Sequence, residues 1–475
     1  MLLRAVLIAL LAHSAFPARS AAPNILFILA DDMGYGDMGF LGSKHLRTPH
    51  LDQLARDGVF CSQGYVASPV CSPSRAGLIT GRDPRRFGYE ENLNKSASNY
   101  HTRVELLGLP PGEHTLGDHL RAAGYATALI GKWHLGTGEG FHPLERGFDH
   151  FCGMLTGSHS YFPKKKNRLE RNRVALTEFS NPYLTDFFTD EALMWLNASE
   201  HAKPWFLFLS YNAPHGPLQA TDEDLARFEH ISDRRRRIYA AMMFALDRSV
   251  GRLRDWLAGN GLTKNTLIVF FSDNGGATGN ASWNGPLSGS KGNLREGGVR
   301  VPMFWTWPGT LPANRRYDSP ASSLDLLPTF LAAADARALP LRKPMPHEDK
   351  RNWALGVKRY GAYDGVNLIP YLTGKLPPAK RTLFWRLQGQ TCIRSGNDKL
   401  IKLSHRPPQL FRPQTDVAEV NDLSETEIGR FESLFSELGE WESSLPTIPL
   451  WGSSPYWVSE SARQYDELAS QPEPK

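Results

Sequence analysis

Two pairs of oxygen-bearing side chains follow two strongly apolar segments of the chain. Asp31 and Asp32 come directly after one such run, and Asp273 and Asn274 come directly after another. Ligands of open α/β sheets bind at the carboxyl ends of the strands, so we expect these four side chains to converge. Three carboxylates and one amide suit a hard cation such as Ca²⁺, with Mg²⁺ as the alternative. The other interpretation is that each pair only caps the turn after its strand.

A cysteine lies at the expected start of a helix. Pro73 suits a first helical turn, and Arg75 projects about one turn beyond Cys71. A helix start together with a guanidinium forms an anion site, where an oxyanion or a thiolate would be stabilised. The alternative is a buried, chemically inert cysteine.

The elements that must position these residues are read from the apolar pattern. Short continuous apolar runs predict buried strands of a mostly parallel sheet, at residues 24–30, 125–130, 205–209, 266–272 and 301–305. Segments with a spacing near 3.6 predict helices at residues 49–56, 115–123, 186–197, 234–257 and 324–333. This alternation indicates a layered α/β domain, with a central sheet between helices.

The pattern changes near residue 375, so we expect a catalytic domain at residues 23–375 and a smaller domain at 376–475. Four short segments in the second region predict an antiparallel sheet, at residues 383–387, 392–394, 399–403 and 409–412. A helix at 425–440 would cover one face of it. Residues 339–361 lack periodicity and predict a surface excursion.

The N-terminus and the composition limit the place and the partners of the protein. Residues 1–22 combine a positive start, an apolar stretch and small residues, which is typical of a signal peptide. No later segment is apolar for long enough to span a membrane. A net charge of +5 excludes a strong polyanion binder such as a nucleic-acid protein. The basic run at 234–237 could attract a polyanion but is more typical of a solvated face. Four cysteines are too few for a disulfide framework.

Two motifs resemble those of a known family. Cys71, Pro73 and Arg75 match the motif Cys-X-Pro-X-Arg, and a second signature follows the strand at 125–130, namely Gly131-Lys132-Trp133-His134-Leu135-Gly136. The chain thus resembles the formylglycine-dependent sulfatases, the type I or arylsulfatase-like branch of the alkaline phosphatase superfamily. Matches extend from about residue 24 to 423. The resemblance implies an alkaline-phosphatase-like α/β domain and a small C-terminal domain with an antiparallel sheet and a helix.

The resemblance also implies roles for individual residues. Cys71 would be converted to formylglycine by a formylglycine-generating, sulfatase-maturing enzyme. The implied Ca²⁺ ligands are Asp31, Asp32, Cys71, Asp273 and Asn274. The sulfate pocket would be lined by Arg75, Lys132, His134, His215 and Lys291. Ser158 and His159 occupy the region in which the family contacts substrate, although both could equally belong to a surface loop.

The mechanism implied by the family begins with hydration of the aldehyde at position 71. One hydroxyl attacks sulfur, having lost its proton to Asp273, while His215 or Lys291 protonates the departing oxygen. His134 then deprotonates the second hydroxyl and sulfate leaves.

We therefore expect a sulfuric ester hydrolase that acts on a sulfated carbohydrate or an aryl sulfate. It would be secreted or periplasmic, or lysosomal if eukaryotic. Two alternatives remain: a formylglycine-type phosphodiester or phosphonate hydrolase, and a non-catalytic binder of sulfated glycans in which Cys71 stays a thiol.

Overall fold

The computed structural model describes residues 22–93, 107–164, 166–199, 203–340, 363–404, 406–446, 450–451 and 465. Nearly all of the predicted signal peptide and of the predicted excursion at 339–361 lies outside the described residues.

The strands of the described part are β1 (Asn24–Ala30), β2 (Val59–Cys61), β3 (Gly64–Tyr65), β4 (Ala126–Lys132), β5 (His150–Met154), β6 (Leu169–Arg171), β7 (Val174–Ala175), β8 (Trp205–Ser210), β9 (Thr266–Ser272), β10 (Met303–Thr306), β11 (Arg315–Tyr317), β12 (Ala321–Ser322), β13 (Thr382–Leu387), β14 (Gln390–Ser395), β15 (Asp398–Leu403) and β16 (Arg406–Phe411). The α-helices are α1 (Pro49–Arg56), α2 (Cys71–Thr80), α3 (Leu116–Ala122), α4 (Leu184–Ala198), α5 (Asp222–Ala226), α6 (Arg234–Gly259), α7 (Glu296–Val299), α8 (Leu326–Ala333), α9 (Ile369–Leu372) and α10 (Ile428–Ser443).

Within the described residues, ten strands form a central sheet in the order β11-β2-β10-β9-β1-β8-β4-β5-β6-β7. The five central strands, from β9 to β5, run parallel to one another. Antiparallel strands extend the sheet on both sides: β10 next to β9, and β6 with β7 next to β5. The parallel centre matters for function because the carboxyl ends of its strands share one edge.

Both faces of the central sheet are covered by helices, which explains the continuous apolar run of β1. Leu26 and Ile28 belong to a core shared with α1, α4 and α6. Ile25, Phe27 and Leu29 point to the opposite face and pack with α2, α3 and α8. The layered α/β class is confirmed, and the predicted strands at 24–30 and 266–272 match β1 and β9. The short strands β2, β3 and β5 to β7 were not predicted.

The C-terminal sheet consists of β13 to β16, paired antiparallel in chain order. Helix α10 covers one face through Leu434, Leu438 and Trp441, and it begins three residues later than predicted. The other face packs on the large α/β unit, where Trp385 lies in one core with Tyr65. Among the described residues, no helix is both long enough and apolar enough to cross a bilayer.

Candidate active site

The two strand ends that carry the predicted metal ligands are adjacent. Strands β1 and β9 are parallel neighbours, and Ala30 pairs with Ser272. The next residues of each strand therefore meet: the backbone N–H of Asp32 donates to Asp273 Oδ1 at 3.2 Å, and Asn274 Nδ2 donates to Asp32 Oδ1 at 2.7 Å. Asp32 has a left-handed φ of 65°, which turns its side chain into the cluster. The convergence expected from the sequence is thus present.

Helix α2 begins at Cys71 and brings the thiol to this edge. Cys71 Sγ lies 3.6 Å from Asp31 Oδ1, 3.9 Å from Asp32 Oδ1 and 2.9 Å from Lys291 Nζ. The backbone N–H of Ser72 donates to Asn92 Oδ1 at 2.8 Å, so a side chain from a distant loop caps the helix. Burial raises the pKa of Cys71 to about 12, although the two nearby lysines oppose this. An unmodified thiol here is neutral and therefore a poor nucleophile.

Arg75 lies one turn into α2 and crosses to the end of β9. Its Nε donates to Asp273 Oδ2 at 2.9 Å, and one terminal nitrogen donates to Ser210 Oγ at 2.7 Å. Ser210 in turn donates to the carbonyl of Lys132 at 2.7 Å. The guanidinium is thereby fixed among three strand ends. Ser210 was not predicted as a site residue. It is the last residue of β8, and it lies at the same edge of the sheet as the pairs that follow β1 and β9.

Two buried lysines neutralise the strand-end carboxylates. Lys132, the last residue of β4, places Nζ 2.6 Å from Asp31 Oδ2. Lys291, from the loop before α7, places Nζ 2.6 Å from Asp32 Oδ1. Burial disfavours the charged form of Lys291, but Asp32 and the other acidic groups raise its pKa above the ordinary value. Lys291 is therefore an ammonium ion held against a carboxylate.

His134 follows β4 and is enclosed at the same edge. Its φ is 60°, and its Nε2 lies 3.3 Å from the carbonyl oxygen of Leu93. Burial, with the charges of Lys132 and Arg75, holds the pKa of His134 well below its usual value. Its Nδ1 is buried and has no hydrogen-bond partner within the described part of the chain. A neutral ring with an unpaired nitrogen can accept a proton.

His215 lies at the open side of the cluster. Its Nδ1 is 2.6 Å from the carbonyl of Gly216, which leaves Nε2 facing Asp32 Oδ2 at 3.6 Å. Burial lowers the pKa of His215 to about 4, against the attraction of Asp32. The imidazole is neutral near pH 7. Asn280, which the sequence did not indicate, donates from Nδ2 to the same Asp32 oxygen at 2.9 Å.

The oxygen atoms of Asp31, Asp32 and Asn274 suit a hard cation, whereas Cys71 Sγ and His215 Nε2 are softer donors. Ligand atoms of Asp31, Asp32, Cys71 and His215 lie within 4.8 Å of one another. Asn274 Oδ1 is buried without a hydrogen-bond partner among the described residues, as expected of an oxygen that awaits a metal ion. His215 extends the set that the sequence predicted, and its Nε2 is free to face the same centre.

Ser158 and His159 remain predictions. The Ser158 carbonyl oxygen accepts a hydrogen bond from Thr156 Oγ1, and His159 Nδ1 lies 2.7 Å from the Ser160 carbonyl oxygen, so both contacts lie within the same loop. The loop nevertheless touches the site through Gly157, where an added Cβ would lie 2.7 Å from the ring of His134. A side chain at this position would displace the histidine.

Known proteins resemble this chain in sequence and in fold. The family model described as Sulfatase matches residues 23–336. The N-acetylgalactosamine-6-sulfatase of Canis lupus familiaris is 35% identical over 374 residues, which are 74% of this chain and 66% of the relative. Arylsulfatase J of Mus musculus is 36% identical over 60% of this chain and 48% of its own length. The chain therefore spans about two thirds or less of these two relatives.

Solved structures give the same picture over more of the chain. The crystal structure of Ps i-CgsB in complex with k-i-k-neocarrahexaose is 36% identical, with a TM-score of 0.80, and covers 94% of this chain and 98% of that one. The phosphonate monoester hydrolase of Agrobacterium radiobacter is 19% identical, with a TM-score of 0.59, and covers 88% of this chain and 96% of that one. The second likeness concerns the fold alone.

Proposed function

The chain belongs to the sulfatase family, and from this premise we propose that it hydrolyses sulfate monoesters of a carbohydrate. The observation that carries the proposal is the position of Cys71, the first residue of a helix, between two carboxylates and Lys291. The carbohydrate class is supported by the relative named N-acetylgalactosamine-6-sulfatase and by the related structure bound to k-i-k-neocarrahexaose. An exported enzyme, as the first 22 residues predict, would meet such substrates outside the cytoplasm.

The proposed mature enzyme carries formylglycine at position 71, made by a sulfatase-maturing enzyme. Sγ of Cys71 occupies the place that an oxygen of the mature side chain would take. The hydrated aldehyde would supply one hydroxyl as nucleophile and a second hydroxyl whose deprotonation releases sulfate and re-forms the aldehyde, and a thiol or a serine lacks that second hydroxyl. Asp31, Asp32, Asp273, Asn274 and position 71 would hold a Ca²⁺ ion, which would supply positive charge for the sulfate group and lower the pKa of a hydroxyl at position 71.

The remaining side chains act on charge and on protons. Arg75, Lys132 and Lys291 offset the negative charge of the sulfate group and of its transition state, in a site from which water is largely excluded. Lys291 Nζ lies 2.9 Å from Cys71 Sγ, and His215 lies at the open side of the same cluster, so either residue could protonate the departing alcohol oxygen. His134 accepts a proton through its unpaired Nδ1, and its carbonyl oxygen accepts a hydrogen bond from Ser72 Oγ, in the first turn of α2, at 2.6 Å.

The test compares sulfate with phosphate release from matched aryl esters, and then screens defined sulfated saccharides. The enzyme is produced together with a sulfatase-maturing enzyme and loaded with Ca²⁺. Mass spectrometry of the peptide that contains residue 71 reports conversion. We expect sulfate release that depends on conversion and is lost in Cys71→Ala.

Fully converted, Ca²⁺-loaded protein that releases phosphate faster than sulfate would instead indicate the phosphoester alternative. A free, alkylatable thiol in protein from its natural host would indicate the non-catalytic binder.

A further inference from the structure

A buried group of charges joins the C-terminal sheet to the loop that carries Lys291. Lys399, on β15, places Nζ 2.8 Å from Glu296 Oε1 and 2.9 Å from Glu419 Oε1. These three residues, which we name the Lys399 cluster, are each at most 1% exposed. Buried charges are costly to remove from water unless they are paired, and such groups often serve to fix one arrangement of the chain. The cluster lies outside the set of residues assigned to the reaction.

Glu419 fastens both ends of the segment 288–296. Its Oε2 accepts a hydrogen bond from Ser288 Oγ at 3.0 Å and another from the backbone N–H of Glu296 at 2.7 Å. Its carbonyl oxygen accepts from Arg295 at 2.8 Å. One residue thus holds the start and the end of a loop with Lys291 in its middle.

The backbone of Glu419 is itself held in an unfavourable conformation. Its φ is 52°, in the left-handed region that an L residue with a long side chain rarely adopts. Such a conformation persists only where the surrounding contacts require it. Here the side chain of Glu419 contacts the Lys291 loop and Lys399, while its backbone N–H donates to the carbonyl oxygen of Asp416 at 3.1 Å.

A second contact of the C-terminal sheet holds the middle of the same loop. Gln390, on β14, donates from Nε2 to the carbonyl oxygen of Gly292 at 3.1 Å. Tyr465 donates its hydroxyl to Gln390 Oε1 at 2.8 Å and accepts from the backbone N–H of Leu294 at 3.1 Å. The residues on both sides of Lys291 are therefore tied to the C-terminal region.

Glu296 and Lys399 keep their charges over the ordinary pH range. Burial alone would raise the pKa of Glu296, but Lys399, Arg394 and Arg300 lower it to about 2. Burial alone would lower the pKa of Lys399, but Glu296 and Glu419 raise it above its usual value.

We propose that Glu419 is a positioning residue that sets the place of Lys291 Nζ in the active site, acting through Ser288 and the backbone of Glu296. The proposal deepens the proposed function and rests on it for the role of Lys291. Lys291 Nζ must stay within about 3 Å of both Asp32 Oδ1 and Cys71 Sγ, where the structure has 2.6 and 2.9 Å. A displacement of about 1 Å can cost on the order of 100-fold in rate.

The kinetic test is a double-mutant cycle between Glu419→Gln and Lys291→Ala. Glutamine keeps the shape of the side chain but removes the charge that Lys399 and the loop contact. We expect Glu419→Gln to lower kcat for an aryl sulfate roughly 10-fold or more, and to change kcat by less than about twofold in Lys291→Ala. Equal losses on both backgrounds would overturn the proposal, because Glu419 would then act independently of Lys291.

A readout without turnover separates this proposal from the proposed function. Inorganic sulfate should raise the thermal midpoint of the wild-type chain, and it should raise that of Glu419→Gln by less. The double variant should show the same sulfate shift as Lys291→Ala alone. A chain that behaved in this way but hydrolysed no ester would support the positioning role and contradict the sulfatase activity. Protection equal in wild type and Glu419→Gln would overturn the positioning role.

Two further variants guard against a merely structural effect. Ser288→Ala removes one hydrogen bond to Glu419 and leaves the Lys399 cluster intact, so it answers the question if Glu419→Gln does not fold. Ser288→Ala should lower kcat when Lys291 is present and should change kcat little in Lys291→Ala. Lys402→Met is the matched control. Lys402 lies on β15, as Lys399 does, but it pairs with Glu442 at 2.5 Å and its side chain is 34% exposed. A loss in Lys402→Met equal to that in Glu419→Gln would also overturn the proposal.

Discussion

At the scale of single residues, the active site is a set of paired opposite charges. Asp31 contacts Lys132, Asp32 contacts Lys291, and Asp273 contacts Arg75. Each carboxylate that could bind a cation therefore already has a basic partner in direct contact. Removal of one partner would leave a buried charge uncompensated, at a cost of about 3–5 kcal/mol. A divalent ion at this site would free the basic groups to face an anionic substrate.

Metal binding should stabilise the fold and should depend on Asp32. Saturating Ca²⁺ stabilises the folded chain by mass action, about 2.7 kcal/mol when its concentration is ~100 times the dissociation constant. We expect Asp32→Asn to lose this gain, measured as the shift in thermal midpoint on addition of Ca²⁺ or EDTA. Asp222→Asn, an exposed acid on α5, is the control and should keep the shift. An undiminished shift in Asp32→Asn would exclude the assigned site.

The same ion should bind more weakly in acid. Burial, together with Asp31, raises the pKa of Asp273 to about 6, against the effect of Arg75. Between about pH 4 and 6, Asp273 is protonated in the folded, metal-free chain but ionised in the unfolded chain. Asp273 therefore makes the metal-free fold less stable as pH rises from about 4 to 6, and this loss is complete above about pH 6. A bound cation requires the ionised form, so affinity should fall up to about tenfold per pH unit below pH 6. Titration calorimetry in buffers of different ionisation enthalpy would detect the released proton. A Ca²⁺ affinity that stays the same from pH 5 to pH 7 would contradict this prediction.

The sequence predicted the strand-end carboxylates because a general rule of parallel sheets places them. Asp31, Asp32, Asp273 and Asn274 each follow an apolar run, and the residues are close once β1 and β9 pair. Asn280 could not be predicted in this way, since it reaches Asp32 from a loop whose path depends on packing. Glu419 lies still further from any motif, and only the arrangement of two sheets shows its contact with the Lys291 loop.

At the scale of elements, the long helix α6 organises the loops near the site. The basic run at 234–237 is typical of a solvated face, but Arg236 is fully buried and contacts Asp37 Oδ1 at 2.7 Å. Asp37 Oδ2 accepts from Tyr239, on the same helix, at 2.6 Å. The helix thereby fixes the loop that follows Asp31 and Asp32. A run of like charges cannot reveal that one member turns inward, because the partner is distant in sequence.

Helix α6 also caps helix α1, and this contact gives a test of stability. Asp247 accepts hydrogen bonds from the backbone N–H groups of Leu51 at 2.8 Å and His50 at 3.3 Å. Burial raises the pKa of Asp247 to about 7, although these N–H groups oppose it. The folded pKa exceeds the unfolded value, so this group stabilises the fold less as pH rises from about 4 to 7.

We expect Asp247→Asn to gain stability relative to wild type as pH rises, by up to about 1.4 kcal/mol per pH unit between pH 5 and 7. Asparagine does not titrate and keeps one acceptor for Leu51. Asp247→Ala leaves both N–H groups unpaired and should cost about 1–3 kcal/mol. Urea unfolding at several pH values measures both, with Asp222→Asn as the control. A difference between Asp247→Asn and wild type that does not vary with pH would contradict the assignment.

At the scale of the whole molecule, the C-terminal sheet packs on the large α/β unit through a hydrophobic cluster that includes Tyr65, Leu294 and Val299, and through a set of buried charges. Trp385 of the C-terminal sheet donates from Nε1 to the carbonyl oxygen of Val66 at 2.7 Å and packs against Tyr65. The Lys399 cluster crosses the same interface. The domain boundary near residue 375 stays a prediction, and these contacts lead us to expect that the C-terminal region unfolds together with the large α/β unit.

This coupling predicts the response to loss of Trp385, which is 1% exposed. Trp385→Ala removes a buried indole and its hydrogen bond, and should cost about 3–5 kcal/mol. Because the interface is shared, the main thermal transition of the whole chain should move to lower temperature, together with loss of sulfate protection. Phe435→Ala, on the outer side of α10 and 44% exposed before substitution, is the control and should change the midpoint little. If the C-terminal sheet were independent, calorimetry of Trp385→Ala would instead show a new early transition while the main transition stayed in place, because only the weakened part would unfold first.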